Sequence, residues 1–411
     1  MENSNKSYNA LEALAHARRE FGEHGGVNLS IEASTTFTVL DPDHLPEIFR
    51  GERGPDKGGC FLYGRHFNPT VYTLSRQIAA VEGTETCYCC ASGMAAISST
   101  LIQCCSPGDH IIASDTLYGG TFALLKDFLP AKCGIRTTFV DITDTAKVEA
   151  AIEEKTRLIY TETLSNPTLL VPDMRLLSQT AKKKGLRLVV DNTFTPMIFN
   201  PCRLGADIVV HSLTKFINGA SDIIAGAICG SKEFIQSLMD LHQGALMLLG
   251  PTMDPQAAFD ISLRIPHLAL RMKEHSARAL FLAQRLEEKG LKVRYPGLLS
   301  HPQHQLFKEQ MNAEYGFGGI FSLDTGSFDK AKCLMACLQN ECGFGFMAVS
   351  LGYFDTLMSC SASTTSSELT EDELHRAGIT QGLLRISVGY TGSVEERWNQ
   401  LEKGLRDTGL I

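Results

Sequence analysis

The chain alternates short, uniformly apolar runs with longer stretches in which apolar residues return every third or fourth position. The runs are HIIAS at 110–114, RTTFVDI at 136–142, RLIYTET at 157–163, RLVVDNT at 187–193, ADIVVHS at 206–212 and IIAGAICG at 223–230. Runs this short predict strands buried on both faces, the signature of a parallel sheet. TFALLKDFLPA, TAKVEAAIEE and PDMRLLSQTAKKKG, which lie between them, have helical spacing with Gly or Lys near their ends, as crossover helices do. Helices then pack on both faces of the sheet, and the fold class is α/β.

From about residue 260 the rhythm changes. A long amphipathic helix at 267–290 is followed by KVRYPGL, GFGGIFSLD, a helix FDKAKCLMACLQNE, a strand FMAVSLG, the Ser/Thr-rich stretch at 359–369, a strand LLRISVGY and a last helix VEERWNQLEKGL. This pattern predicts a second, smaller α/β domain that begins on the long helix, and the Ser/Thr-rich stretch reads as a surface loop.

A length of 411 residues suits two domains. Lys plus Arg number 38 against 46 Asp plus Glu, for a net charge of −8, so no overall positive field draws nucleic acid or an anionic membrane. The 13 cysteines are odd in number and scattered, which favours reduced thiols over a disulfide framework. Glu2, Glu12 and Glu20 interrupt the first residues, which lack a signal peptide's apolar core, and nowhere does an apolar run reach the ~18 residues of a membrane span. The expected location is cytoplasmic.

Ligands of open parallel sheets sit at the carboxyl ends of the strands. Here those ends carry Glu162, Ser165 and Asn166, then Asp191-Asn192-Thr193, then Ser212, Thr214 and Lys215. A lysine after Ile208-Val209-Val210 lies near apolar surroundings that can leave its amine neutral and nucleophilic, although a lone strand-end lysine more often reaches solvent. An aspartate at the end of a neighbouring strand suits the ring nitrogen of pyridoxal 5'-phosphate, which needs a carboxylate partner. Ser92-Gly93-Met94-Ala95-Ala96 opens a helix whose free N–H groups can hold a phosphate, or is simply a capped helix start. The H-E-x-x-H, Walker A and G-x-G-x-x-G patterns are absent. Cys87-Tyr88-Cys89-Cys90 reads as strand cysteines and His301 with His304 as a surface loop, so no metal site is expected.

Taken in order, Tyr63-Gly64-Arg65-His66-Phe67-Asn68-Pro69-Thr70, Ser92-Gly93-Met94-Ala95-Ala96, Pro107-Gly108-Asp109, Tyr118-Gly119-Gly120-Thr121, Asn166-Pro167, Asp191-Asn192-Thr193, Ser212-Leu213-Thr214-Lys215, Ser350-Leu351-Gly352 and Leu384-Arg385-Ile386-Ser387-Val388-Gly389 resemble the cysteine and methionine metabolism family of pyridoxal-phosphate enzymes over roughly residues 28–405. The resemblance implies the PLP-dependent transferase fold type I, similar to aspartate aminotransferase. It implies an N-terminal arm over 1–65 that reaches the neighbouring subunit's site, a large cofactor-binding domain over 66–265 and a small C-terminal α/β domain over 266–411.

The same resemblance implies the residue roles. Lys215 carries the cofactor, Asp191 partners its ring nitrogen, and Tyr118 stacks on the ring and donates a proton to the leaving group. Gly93, Met94, Ser212 and Thr214 bind the phosphate, with Tyr63 and Arg65 from the neighbouring subunit, and Asn166 lies near the phenolic oxygen. Arg385, aided by Ser350, binds the substrate's α-carboxylate. The expected reaction is γ-elimination from L-methionine to methanethiol, 2-oxobutanoate and ammonia in a homotetramer of dimers that share active sites. Cystathionine γ-elimination and a transferase that intercepts the same intermediate with a thiol are the alternatives; a cofactor-binding relative without activity is disfavoured by the retained Lys215, Asp191, Tyr118 and Arg385. Gly120 stands where bacterial relatives acting on methionine have a substrate-contacting cysteine, which predicts spare room beside Tyr118. The 353–357 stretch also departs from the family pattern, which bears on substrate choice more than on reaction type.

Overall fold

The computed structural model describes residues 8–19, 21–22, 24–50, 52–54, 60–361 and 370–411. Seven strands form the larger sheet: β1 (Thr86–Cys90), β2 (His110–Ser114), β3 (Arg136–Val140), β4 (Thr156–Glu162), β5 (Arg187–Asp191), β6 (Ile208–Ser212) and β7 (Gly226–Gly230). Their spatial order is β1-β7-β6-β5-β4-β2-β3. β2 through β6 pair in parallel, whereas β7 runs antiparallel to both β6 and β1. The reversal has a local cause: residues 213–225 contain no helix that could carry the chain back across the sheet.

Side chains alternate between two cores. Leu188, Val190 and Val209 pack on one side of the sheet with the helices Pro69–Glu82 and Met174–Lys183. Val189, Val210, Ile208 and Tyr160 pack on the other with Gly93–Cys104 and Lys232–Leu238. Apolar residues on both faces are what the unbroken runs required. The helix Ala10–Ala17 also joins the first of these cores through Ala10 and Leu14.

The second sheet holds β8 (Lys292–Arg294), β9 (Ile320–Asp324), β10 (Phe346–Met347), β11 (Leu357–Cys360) and β12 (Leu383–Ser387), in the order β10-β11-β12-β9-β8. The helices Leu268–Glu288, Phe328–Asn340 and Val394–Asp407 cover it, burying Leu384 and Ile386 of β12. The alternation leaves Arg385 on the opposite face, towards the larger sheet.

Three expectations need correction. The strand expected over 346–352 shrinks to two residues, because the chain bends at Val349 and again at Gly352, whose φ is +77°. Part of the Ser/Thr-rich stretch is no surface loop: Ser359 and Cys360 are buried in β11, held between β10 and β12, while 362–369 lie outside the described residues. His301 is likewise buried, and burial lowers its imidazole to about 4, while His304 begins the helix His304–Gln310. Among the described residues no helix is long and apolar enough to cross a membrane.

Candidate functional site

The period of two along buried strands brings the candidates together. Asp191 pairs with Glu162 in the register of β5 and β4, and with Val210 in that of β6. Tyr160, Val189 and Val210 all face the helix Gly93–Cys104, so Glu162, Asp191 and Ser212, two residues further on, emerge on that same side. Lys215 follows on the connection to β7.

Lys215 Nζ lies 2.9 Å from Ser350 Oγ and donates to it. Burial, aided by the positive charge of Arg385, lowers the amine to about 8, so a substantial neutral fraction exists near neutral pH. Arg385 is 2% exposed; Nη1 donates to Asn166 Oδ1 at 3.1 Å and Nη2 to the Ser350 carbonyl at 3.0 Å, whereas Nε has no partner among the described residues. Burial pushes this guanidinium down to about 10. Among the described residues no carboxylate forms a salt bridge with it, so an anion is the missing partner.

Asp191 presents the reverse problem. Its Oδ1 accepts the Thr193 N–H at 2.9 Å, yet among the described residues it has no salt bridge. Burial raises its carboxyl and the bonds from Thr193 oppose the rise. A cationic ring nitrogen would compensate this buried carboxylate.

The cradle for a phosphate is built from backbone. Ser92 caps Gly93–Cys104, its Oγ accepting the Ala95 N–H at 3.0 Å, which leaves the N–H groups of Gly93 and Met94 at an open helix start. A Cβ on Gly93 would lie 2.7 Å from Ser212 Cβ, and one on Gly226 would lie 2.0 Å from the Ser92 carbonyl oxygen. The two glycines let residues 92–94 lie flat on β6 and β7, with the Ser212 hydroxyl beside the open helix end. The Thr214 hydroxyl is engaged with Ala225, accepting its N–H at 3.0 Å and donating to its carbonyl at 3.3 Å.

Glu162, which had no assigned role in the sequence, organises the other wall. Its Oε1 accepts the Tyr118 N–H at 2.7 Å and its Oε2 the Asn166 N–H at 3.2 Å. Burial and the neighbouring Asp191 push its carboxyl well above the usual range. A carboxylate ending a buried strand, beside a second one, was the available signal.

Tyr118 corrects the reading of Gly120. A Cβ there would sit 2.6 Å from Tyr118 Cε1 and 3.3 Å from its Oη, so the phenol ring already fills the space expected to be empty. Tyr63 and Arg65 stand apart in the single chain. The Arg65 guanidinium donates to the Met247 carbonyl at 2.8 Å and lies 5.7 Å from the Tyr63 ring centre, and it makes no bond to Ser212 or Thr214.

The lowered Lys215 amine, the buried Asp191 carboxylate, the N–H groups at the Gly93 helix start and the buried Arg385 guanidinium offer four complementary chemistries. They fit a group with an aldehyde, a protonatable ring nitrogen and a phosphate, next to a substrate carboxylate. Pyridoxal 5'-phosphate has that chemistry.

Comparison with known proteins agrees. The family model described as "Cys/Met metabolism PLP-dependent enzyme" matches residues 12–406. A methionine gamma-lyase of Arabidopsis thaliana is 58% identical over 392 residues, covering 95% of this chain and 89% of the relative. An L-methionine gamma-lyase of Fusobacterium nucleatum is 41% identical, with 97% and 98% of the two chains covered. Among solved structures, a candidate O-acetylhomoserine (thiol)-lyase of Campylobacter jejuni, which contains a pyridoxyl-lysine monophosphate, superposes with a TM-score of 0.88 at 28% identity over 97% of this chain and 100% of that one.

Proposed function

The chain belongs to the Cys/Met metabolism family of PLP-dependent enzymes, with the fold type I architecture and pyridoxal 5'-phosphate as cofactor, and from that premise we propose that it is a carbon–sulfur lyase converting L-methionine to methanethiol, 2-oxobutanoate and ammonia. The observation that carries the reading is the juxtaposition of Lys215 and Arg385 on Ser350: a proton-transferring amine stands beside a carboxylate-binding guanidinium. The identity to the Arabidopsis lyase supports the choice of substrate.

Bound pyridoxal 5'-phosphate supplies an electron sink for negative charge developing first at Cα and then at Cβ of the amino acid. Arg385, with Asn166 and Ser350 fixing its plane, binds the α-carboxylate bidentately and thereby aims Cα and Cβ at Lys215. The Lys215 amine removes the Cα proton and then the Cβ proton, a task suited to a base with a pKa near the working pH. Tyr118 delivers a proton to the departing methanethiolate. Asp191 would hold the ring nitrogen, while Gly93, Met94, Ser212 and Thr214 would hold the phosphate.

We read the chain as an arm through residue 65, a large domain over 66–265 and a small one over 266–411, in keeping with sheets confined to 86–230 and 292–387. We also infer a cytoplasmic homotetramer built of dimers, in which Tyr63 and Arg65 complete the neighbouring subunit's site. The position of Arg65 on Met247, next to the exposed Leu248 and Leu249, supports that placement. The test of function is product analysis. Purified holoenzyme given L-methionine without added thiol should release methanethiol and 2-oxobutanoate in equal amounts, and Lys215→Ala should lose the visible cofactor band and nearly all turnover. Release of 2-oxobutanoate from cystathionine alone, or a requirement for an activated homoserine ester plus a thiol, would overturn it.

A further inference from the structure

All 13 cysteines are free thiols, but two of them stand in a different relation from the rest. Cys337 lies in the last turn of the helix Phe328–Asn340 and Cys342 just beyond it; their sulfurs are 3.8 Å apart. The helix ending produces this approach. The N–H groups of both Glu341 and Cys342 donate to the Cys337 carbonyl at 3.0 Å, and Gly343 follows with a φ of +67°, so the chain doubles back over its own last turn. Cys87 and Cys229 also face each other, across β1 and β7, yet they are 2% and 0% exposed inside the larger sheet, where no reagent can reach them.

The surroundings of the Cys337–Cys342 pair are chemically unequal. Cys337 is buried, whereas Cys342 is partly exposed. Lys403, on the helix Val394–Asp407, places Nζ 4.0 Å from Cys342 Sγ and 2.6 Å from Asp407 Oδ2. Burial and the adjoining Cys342 push the Cys337 thiol up to about 11, which suits a sulfur that reacts second.

We propose that Cys337 and Cys342 form a dithiol modification site, converted to an intramolecular disulfide by a small-molecule disulfide such as oxidised glutathione. In the first step the Cys342 thiolate attacks one sulfur of the oxidant, the oxidant's S–S bond breaks, and one glutathione thiolate leaves and takes up a proton. In the second step Cys337 loses its proton to solvent and attacks Cys342 Sγ; the mixed disulfide breaks and the second glutathione leaves as a thiol. Two cysteine sulfurs are oxidised and one oxidant disulfide is reduced to two thiols. The new bond staples the turn from which the chain sets out towards Ser350, eight residues beyond Cys342.

A metal is the competing occupant, since Cys337, Cys342 and Asp407 offer three ligand atoms within 4.8 Å of one another. The Lys403 ammonium on Asp407 already supplies the positive charge there, and a divalent cation would have to displace it. The observations therefore favour the disulfide.

The test treats native holoenzyme with oxidised glutathione, alkylates the remaining thiols, and maps the peptides by mass. The expected result is loss of two alkylatable thiols per chain, both within the peptide holding Cys337 and Cys342, with a mass deficit of two hydrogens and recovery on reduction. Cys337→Ala, which keeps the buried position apolar, should trap one glutathione on Cys342, whereas Cys342→Ala should leave Cys337 unmodified. Circular dichroism checks that both variants fold. The proposal is overturned if the first two thiols lost lie elsewhere, if Cys337→Ala traps no glutathione on Cys342, or if equimolar zinc binds and protects this pair from the oxidant.

Discussion

The half-buried Lys215 and the buried Arg385 meet on the same serine, and the Arg385 charge adds to burial in lowering the Lys215 amine. Only a neutral amine condenses with an aldehyde. With the Lys215 amine lowered from 10.5 to about 8, reloading of cofactor-stripped protein with pyridoxal phosphate should accelerate as pH rises to about 8 and level off above it. Arg385→Met removes a charge that helps lower the amine, so its inflection should move to higher pH. An inflection at the same pH in the variant would show that the two cations do not couple.

At Gly120 the structure replaces one expectation with another. A Cβ there would meet the outer edge of the Tyr118 ring as it lies in this chain, so Gly120→Ala should displace the phenol that protonates the leaving group. Turnover of methionine and cystathionine should fall together by about tenfold or more, equivalent to ~1.4 kcal/mol of lost transition-state stabilisation. A changed ratio of kcat/KM between the two substrates at undiminished kcat would restore the idea of an open specificity pocket.

At the scale of elements, the decisive contact is the start of Gly93–Cys104 against β6 and β7. It requires β7 to carry glycine at 226 and the helix to carry glycine at 93, because the Ser92–Gly93 backbone occupies the place of a Cβ on Gly226 and Ser212 of β6 that of a Cβ on Gly93. Gly93→Ala must push the helix start off Ser212, and the free N–H groups move with it. Affinity for pyridoxal phosphate should weaken by about tenfold or more, while Ser92→Ala, which removes only the cap, should cost about 1 kcal/mol of stability. Equilibrium dialysis and thermal denaturation separate the two effects; a Gly93→Ala protein that binds cofactor as tightly as the parent would remove the helix start from the phosphate site. Glu162 works at the same scale, one carboxyl group fastening the backbone ahead of Tyr118 and that of Asn166 to the end of β4.

For the whole molecule, the proposed exchange of Tyr63 and Arg65 between subunits is reciprocal in a two-fold dimer. Arg65→Ala and Lys215→Ala homodimers should each be inactive. A mixed dimer has one site with both residues intact, so random reassortment should restore roughly a quarter of the parental activity. Mixtures shown to contain mixed dimers that stay as inactive as the two variants would place Arg65 outside the neighbouring site.

Much of this molecule could be read from its sequence. The buried strands from β2 to β6 follow from unbroken apolar runs, and the helix Leu268–Glu288 from its 3–4 spacing, since local periodicity reports which faces are buried. Lys215, Asp191 and the helix start at Gly93 were legible as strand-end and helix-end chemistry, and the ordered motifs extended the set to Arg385 and Ser350. Other features were decided only by the tertiary structure. The reversal of β7 depends on the path of 213–225, and the burial of Ser359 and Cys360 on the strands either side of β11. The Tyr118 ring over Gly120, Glu162 joined to two distant N–H groups, and the apposed sulfurs of Cys337 and Cys342 are side-chain contacts that no one-dimensional pattern encodes. A periodicity states that a residue is buried; only the packed elements state against what.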